Sequence, residues 1–167
     1  STLTNEEFEV VKQHSAFSYS YLEDIGFNDL HILDAVIHHH EKEDGMGYPM
    51  GLKGEDIPLF SKIIAIADIF DAMTSNRVYR KKELPFVVLE MLLNNNFGKL
   101  DTKLVMLFVK RFSEYYLGTK VILNTGDSGI IIKLNDFEIT KPLIKTENGF
   151  FIDTSIHRDI KMVDFFI

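Results

Sequence analysis

The sequence predicts a mainly α protein: a bundle of about five helices over residues 1–118, followed by a small β-rich C-terminal subdomain over 119–167. Two observations predict it. Apolar residues recur at helical spacing through the first three-fifths of the 167-residue chain. After Gly118 the pattern changes to short β-rich runs separated by turn residues.

Each element can be justified in order. Thr4-Asn5-Glu6-Glu7 has the form of a capping box. Phe8, Val11, Phe17 and Tyr21 follow at helical spacing until Gly26, predicting one helix. A second runs from Asn28 or Asp29 to about His40, with Leu30, Leu33, Val36 and Ile37 as its apolar stripe. Gly45, Gly47, Pro49, Gly51 and Gly54 break any period between residues 42 and 57, and a loop that long in a compact domain is often functional. Pro58 suits the start of a third helix, Leu59 to Ser75, which is apolar nearly all round and so is expected to be central and buried. Pro85 starts a fourth helix that ends in Asn94-Asn95-Asn96, and Asp101 caps a fifth, Leu104 to Tyr116. Beyond Gly118, Lys120–Asn124 and Gly129–Leu134 flank Thr125-Gly126-Asp127-Ser128 as a hairpin. Pro142–Lys145 and Phe150–Asp153 flank Glu147-Asn148-Gly149, and Ile160–Ile167 reads as a last strand. No linker separates the two parts, so they are expected to pack together.

Composition excludes several classes. With no Cys there is no disulfide framework, thiolate zinc site or Cys nucleophile. Fourteen Phe and six Tyr give ample apolar surface, which argues against disorder. The net charge of −7 argues against a general nucleic-acid binder. Only −1 of it falls in 119–167, where 6 Lys+Arg face 7 Asp+Glu. No apolar run has the length of a membrane span and no signal peptide opens the chain, so a cytoplasmic location is expected. Beginning at Ser1 rather than Met, the chain is expected to be trimmed or part of a longer protein.

Five of the six His lie in the first forty residues, three of them consecutive: His38-His39-His40, followed by Glu41. Adjacent helical residues point about 100° apart, so two neighbouring His are expected to serve two ions of a pair rather than one tetrahedral ion. The same residues also suit a solvated helix end, where the dipole favours His⁺. Asp68, inside an apolar helix, is costly to bury unless paired or metal-bound. It could equally cap a neighbouring helix or bond a Tyr. Together His14, His39, His40 and Asp68 offer nitrogen and oxygen donors from three helices, a set that suits Fe, Mn, Zn or Co. Asn76-Arg77-Val78-Tyr79-Arg80-Lys81-Lys82 is the one concentrated basic stretch. It reads as a solvated helix end or, beside a metal site, as a phosphate clamp.

Taken in order, His39-His40-Glu41, Asp44-Gly45-x-Gly47-Tyr48-Pro49, Gly51-Leu52-x-Gly54-Glu55-x-Ile57-Pro58, Ala67-Asp68-Ile69-Phe70-Asp71-Ala72-Met73-Thr74-Ser75 and Arg77-x-Tyr79-Arg80 resemble the HD-GYP domain. This is the bacterial branch of HD phosphohydrolases that hydrolyses cyclic di-GMP. The resemblance covers residues 3–82 and is looser over 119–167. It implies an HD-domain-like helical bundle and divalent metal ions held by His14, His39, His40 and Asp68. It further implies a substrate pocket shaped by Gly47, Tyr48 and Pro49, with Arg77 and Arg80 on the phosphates. Glu41, Asp44 and Asp71 are implied to be structural. Cyclic dinucleotide substrate and signalling proteins are the implied partners; no residue is singled out as catalytic.

The sequence departs from the family at one point: no His-Asp doublet occurs in these 167 residues, although that doublet ligates and bridges the metals in the family. Two readings follow. The chain is the C-terminal portion of a metal-dependent cyclic di-GMP phosphodiesterase, or it is an inactive nucleotide- or protein-binding signalling module. The first implies that the missing part leaves apolar surface on the helix Leu59–Ser75, which would favour a homodimer. On either reading an incomplete site, with weak or absent binding of two metals, is expected. Asp68 is expected to face the His cluster, within about 8 Å of His39 and His40, since direct ligation needs about 2.0 to 2.2 Å to the metal.

Overall fold

The computed structural model describes residues 4–76, 82–95 and 99–166. All five predicted helical stretches are present, but the first is two helices, α1 (Asn5–Lys12) and α2 (His14–Asp24). The break has a local cause. The His14 ring bonds the Val11 carbonyl at 2.7 Å and the Ser15 hydroxyl donates to the Lys12 carbonyl at 3.4 Å, so side chains compete for acceptors of the helical ladder. The Thr4 capping box is formed, with Thr4 Oγ1 accepting from the Glu7 amide at 3.2 Å and Glu7 Oε2 from the Thr4 amide at 2.7 Å.

Helix α3 (Leu30–His38) starts under an Asp29 cap that accepts from the His31 and Ile32 amides. It ends two residues earlier than the apolar period predicts, so His39 and His40 lie in a turn rather than on a helix. A single 3₁₀ turn (Gly54–Asp56) interrupts the following loop. Helices α4 (Leu59–Thr74), α5 (Pro85–Asn95) and α6 (Thr102–Tyr115) pack together, and the Asp101 carboxylate caps α6 by accepting from the Leu104 amide at 3.0 Å.

The expectation of a buried α4 is corrected. It buries Ser61, Ala65, Ile66 and Phe70 against its neighbours, while Leu59, Phe60, Ile63, Ile64 and Ile69 are 36–60% exposed. Its partners lie on one side, and no described element covers the other. Asp68 sits on this exposed side, so the desolvation argument for it fails.

Strands β1 (Lys120–Leu123), β2 (Ser128–Lys133), β3 (Leu143–Thr146), β4 (Phe151–Asp153) and β5 (Met162–Phe166) form one antiparallel sheet in the order β4-β3-β2-β1-β5. Gly129 is required by the β2–β3 pairing: a Cβ there would lie 2.6 Å from the Ile144 side chain and 2.9 Å from the Lys145 carbonyl. One apolar cluster joins α4, α5 and α6 through Ile66, Phe70, Leu89, Val105 and Val109. A second lies under the sheet and includes Phe86 of α5 with Val121, Leu123, Ile131 and Ile144. Phe112 packs against both, so the expected contact between the two parts is present.

Leu89 is fully buried in the helical cluster. Leu89→Ala is expected to lower stability by about 3 kcal/mol, measured by urea unfolding; a loss under about 1 kcal/mol would contradict this packing.

Candidate metal centre

The site is assembled by two breaks in helical structure. The break after Lys12 puts His14 at the start of α2, and the end of α3 at His38 releases His39 and His40 into a turn. His14 Nε2 lies 3.3 Å from His39 Nε2 and 3.1 Å from His40 Nε2. The ligand atoms of the three residues all lie within 4.8 Å of one another. Two imidazoles bound at about 2.0–2.1 Å to one ion at the tetrahedral angle are about 3.3 Å apart, so the spacing is that of ligands sharing an ion. The premise behind expecting neighbouring His to serve two ions of a pair is corrected. It assumed helical geometry, and His39 and His40 are outside the helix.

Backbone carbonyls set the tautomers. The Val11 carbonyl faces His14 Nδ1 at 2.7 Å, and the Val36 carbonyl faces His39 Nδ1 at 2.8 Å. A carbonyl only accepts, so both Nδ1 atoms carry protons, and in the neutral tautomer that leaves the lone pair of each ring on Nε2. The 3.3 Å contact between those two Nε2 atoms then sets acceptor against acceptor, an arrangement that a cation relieves. Burial, then the neighbouring His39 and His14, push the pKa of His40 down to about 4, against a smaller opposing effect of Asp68. Its imidazole is neutral at pH 7, the form that binds metals.

The loop 41–52 is held by Glu41. Its buried carboxylate accepts from the Met50 amide at 2.7 Å and the Leu52 amide at 2.9 Å, and lies 3.8 Å from His38 Nδ1. The structural role expected of Glu41 is thus observed. Asp44 accepts from the Met46 amide and Asp71 from the Ser75 hydroxyl, both local contacts. Gly47 lies against the His corner, where a Cβ would be 2.5 Å from Glu41 Cα, the His40 carbonyl and the Lys42 amide. The Tyr48 amide donates to the His40 carbonyl at 3.2 Å, and the Tyr48 ring sits 4.7 Å from the His40 ring. The Tyr48–Pro49 peptide is cis.

Asp68 is not part of the three-imidazole group. It lines, with His39, Val36, Phe60 and Ile64, an open cavity of about 720 Å³ between α3 and α4. Its charge also acts on Tyr48, whose pKa is raised by burial and then by Asp68. Arg77 and Arg80 lie outside the described residues. Sequence reasoning missed Lys12, whose ammonium is 4.9 Å from the Phe8 ring centroid and 5.8 Å from that of Tyr48. It also missed the two tethering carbonyls, which no side-chain pattern reveals.

Two substitutions test this construction. Gly47→Ala has no room for its methyl and is expected to lower stability by about 3 kcal/mol and weaken Zn²⁺ binding, read by thermal unfolding and calorimetry. Glu41→Ala strands two amides and is expected to lower stability by about 2–4 kcal/mol. Wild-type unfolding of either variant would contradict the role given to the corner.

The chain is similar to known proteins over much of its length. A family model for the HD domain matches residues 1–104. The chain is 32% identical over 143 residues to a cyclic di-GMP phosphodiesterase of Pseudomonas aeruginosa, a match covering 86% of this chain and 34% of that protein. It is 44% identical over 79 residues to a cyclic di-GMP phosphodiesterase of Thermotoga maritima, covering 47% of this chain and 22% of the relative. A 3'3'-cGAMP-specific phosphodiesterase of Vibrio cholerae is 35% identical over 115 residues, covering 68% and 26%. The chain thus spans about a third or less of these relatives. Among solved structures, a HDG"Y"P protein from Bdellovibrio bacteriovorus shares the fold at a TM-score of 0.54 and 16% identity, over 66% of this chain and 35% of that one. With its motifs at 39–49 and 67–75, the chain belongs to the HD domain family, in its HD-GYP branch.

Proposed function

We propose that these residues form the metal- and substrate-holding portion of a phosphodiesterase that hydrolyses a cyclic dinucleotide, cyclic di-GMP, to pGpG or GMP in second-messenger signalling. The observation that supports this reading is the convergence of three imidazoles, with the Nδ1 atoms of His14 and His39 tied to backbone carbonyls. His14, His39 and His40 would hold a divalent ion, Fe, Mn or Zn, and Asp68 is the proposed carboxylate donor across the cavity wall. Such an ion, when bound, polarises a phosphoryl oxygen and brings the pKa of its water near neutrality.

The chain's own residues do the positioning. The Val11 and Val36 carbonyls keep two imidazoles in the ligating tautomer. Glu41 and Gly47 fix the corner that carries His39 and His40. Gly47, Tyr48 and Pro49 are the proposed wall of the nucleotide pocket, with the Tyr48 ring against His40. Arg77 and Arg80 are the proposed phosphate contacts, by charge-assisted bonding. Among the described residues no helix is long and apolar enough to cross a membrane. A cytoplasmic location is proposed from the nucleotide substrate, and a second copy or signalling protein is the proposed partner of the open α4 face.

A second reading rests on one observation: the His-Asp doublet does not occur in these 167 residues. A module that binds a cyclic dinucleotide or a signalling protein without turnover fits that observation.

In the protein that carries these residues, His14→Ala is expected to lower Mn²⁺-dependent hydrolysis of cyclic di-GMP at least about a hundredfold with the circular dichroism unchanged. Undiminished turnover in that variant would contradict the proposal, and comparison with 3'3'-cGAMP reads the substrate preference. For the 167 residues alone, Zn²⁺ titration with elemental analysis is expected to give about one ion per chain; stoichiometric occupancy by two would contradict the incomplete site.

A further inference from the structure

A second pocket lies away from the imidazoles, in the seam between α5 and the sheet. It encloses about 340 Å³ and is walled by Val87 of α5 and by Met162 and Phe165 of β5. Its polar side is Thr140, Lys141, Arg158 and Lys161, with Glu90 opposite. The charge is unevenly answered. Lys141 pairs with Glu90 at 2.7 Å, and Arg158 with Glu138 at 3.0 Å. Lys161 has no carboxylate partner among the described residues, so the pocket keeps about one uncompensated positive charge on a chain of net −7. Thr140 is 7% exposed, lines this pocket, and its hydroxyl has no hydrogen-bond partner among the described residues. Its neighbour on the wall, Thr154, donates instead to the Pro142 carbonyl at 2.9 Å.

We propose that this pocket binds a small organic monoanion: a carboxylate on an apolar body. Lys161 neutralises the head and Thr140 donates to it, while Val87, Met162 and Phe165 cover the body. The chemistry follows from the composition of the walls. One free cation matches one negative charge, an unpartnered hydroxyl on the wall suits a carboxylate oxygen, and the apolar wall gives a reason for more than a bare inorganic ion. The site is independent of the imidazole cluster and of the reading given for it.

The test uses octanoate as probe, with octanol and inorganic phosphate as controls, by calorimetry on the intact chain. The expected result is saturable binding of octanoate, at least about tenfold weaker binding of octanol, and no saturation by phosphate at the same concentration. Lys161→Ala, a surface change, is expected to weaken octanoate about tenfold, and Thr140→Val severalfold. If Thr140→Val unfolds, the Lys161 variant still decides. Failure of octanoate to saturate, equal affinity for octanol, phosphate binding as tightly as octanoate, or unchanged affinity in Lys161→Ala would each overturn the proposal.

Discussion

The buried carboxylate of Glu41 ties the loop to the end of α3. Its two bonds to the Met50 and Leu52 amides close a turn that returns the chain over its own corner. Gly47 passes so close to Glu41 and the His40 carbonyl that a methyl group does not fit. This fixed corner sets where His39 and His40 point. Bonds to a charged acceptor inside a buried turn are among the stronger ones available to a small domain. The glycine-rich loop is therefore a clamp whose rigid part lies beside the imidazoles.

The second requirement is a supply of backbone carbonyls outside the helical ladder. The His14 ring takes the Val11 carbonyl where α1 stops at Lys12, and the His39 ring takes the Val36 carbonyl where α3 stops at His38. Helix ends leave carbonyls free to take side-chain donors, and here imidazole Nδ1 protons use two of them. The same bonds that end the helices aim the Nε2 atoms at one point. Around that point the structure is open: α4 shows its apolar side and Asp68 to a broad cavity.

Much of this was legible in the sequence. Capping by Thr4, Asp29 and Asp101, the turn residues and the change of period gave the order of elements. The motif residues pointed to the three imidazoles and to Glu41. Periodicity misled where bonding between distant parts of the chain decides the outcome. It ran one helix through Gln13 and another to His40, because apolar spacing carries no information on which side chains take ladder carbonyls. It also placed α4 at the centre, since an apolar helix shows what it would bury and not what is there to cover it. Lys161 and Thr140 carried no sequence signal, because their pocket exists only once β5 and the 138–142 turn meet α5.

The central claim is that backbone tethers hold the imidazoles ready for a single cation. Nitrogen-15 spectroscopy of the His rings during a Zn²⁺ titration tests it most directly, since it reads protonation and ligation at each ring nitrogen. The account predicts that His14 and His39 carry their protons on Nδ1 before metal is added, and that the Nε2 resonances of His14, His39 and His40 shift together and saturate near one equivalent. Protons on Nε2 of His14 or His39 in the metal-free protein, or Zn²⁺ shifts confined to one ring, would contradict it.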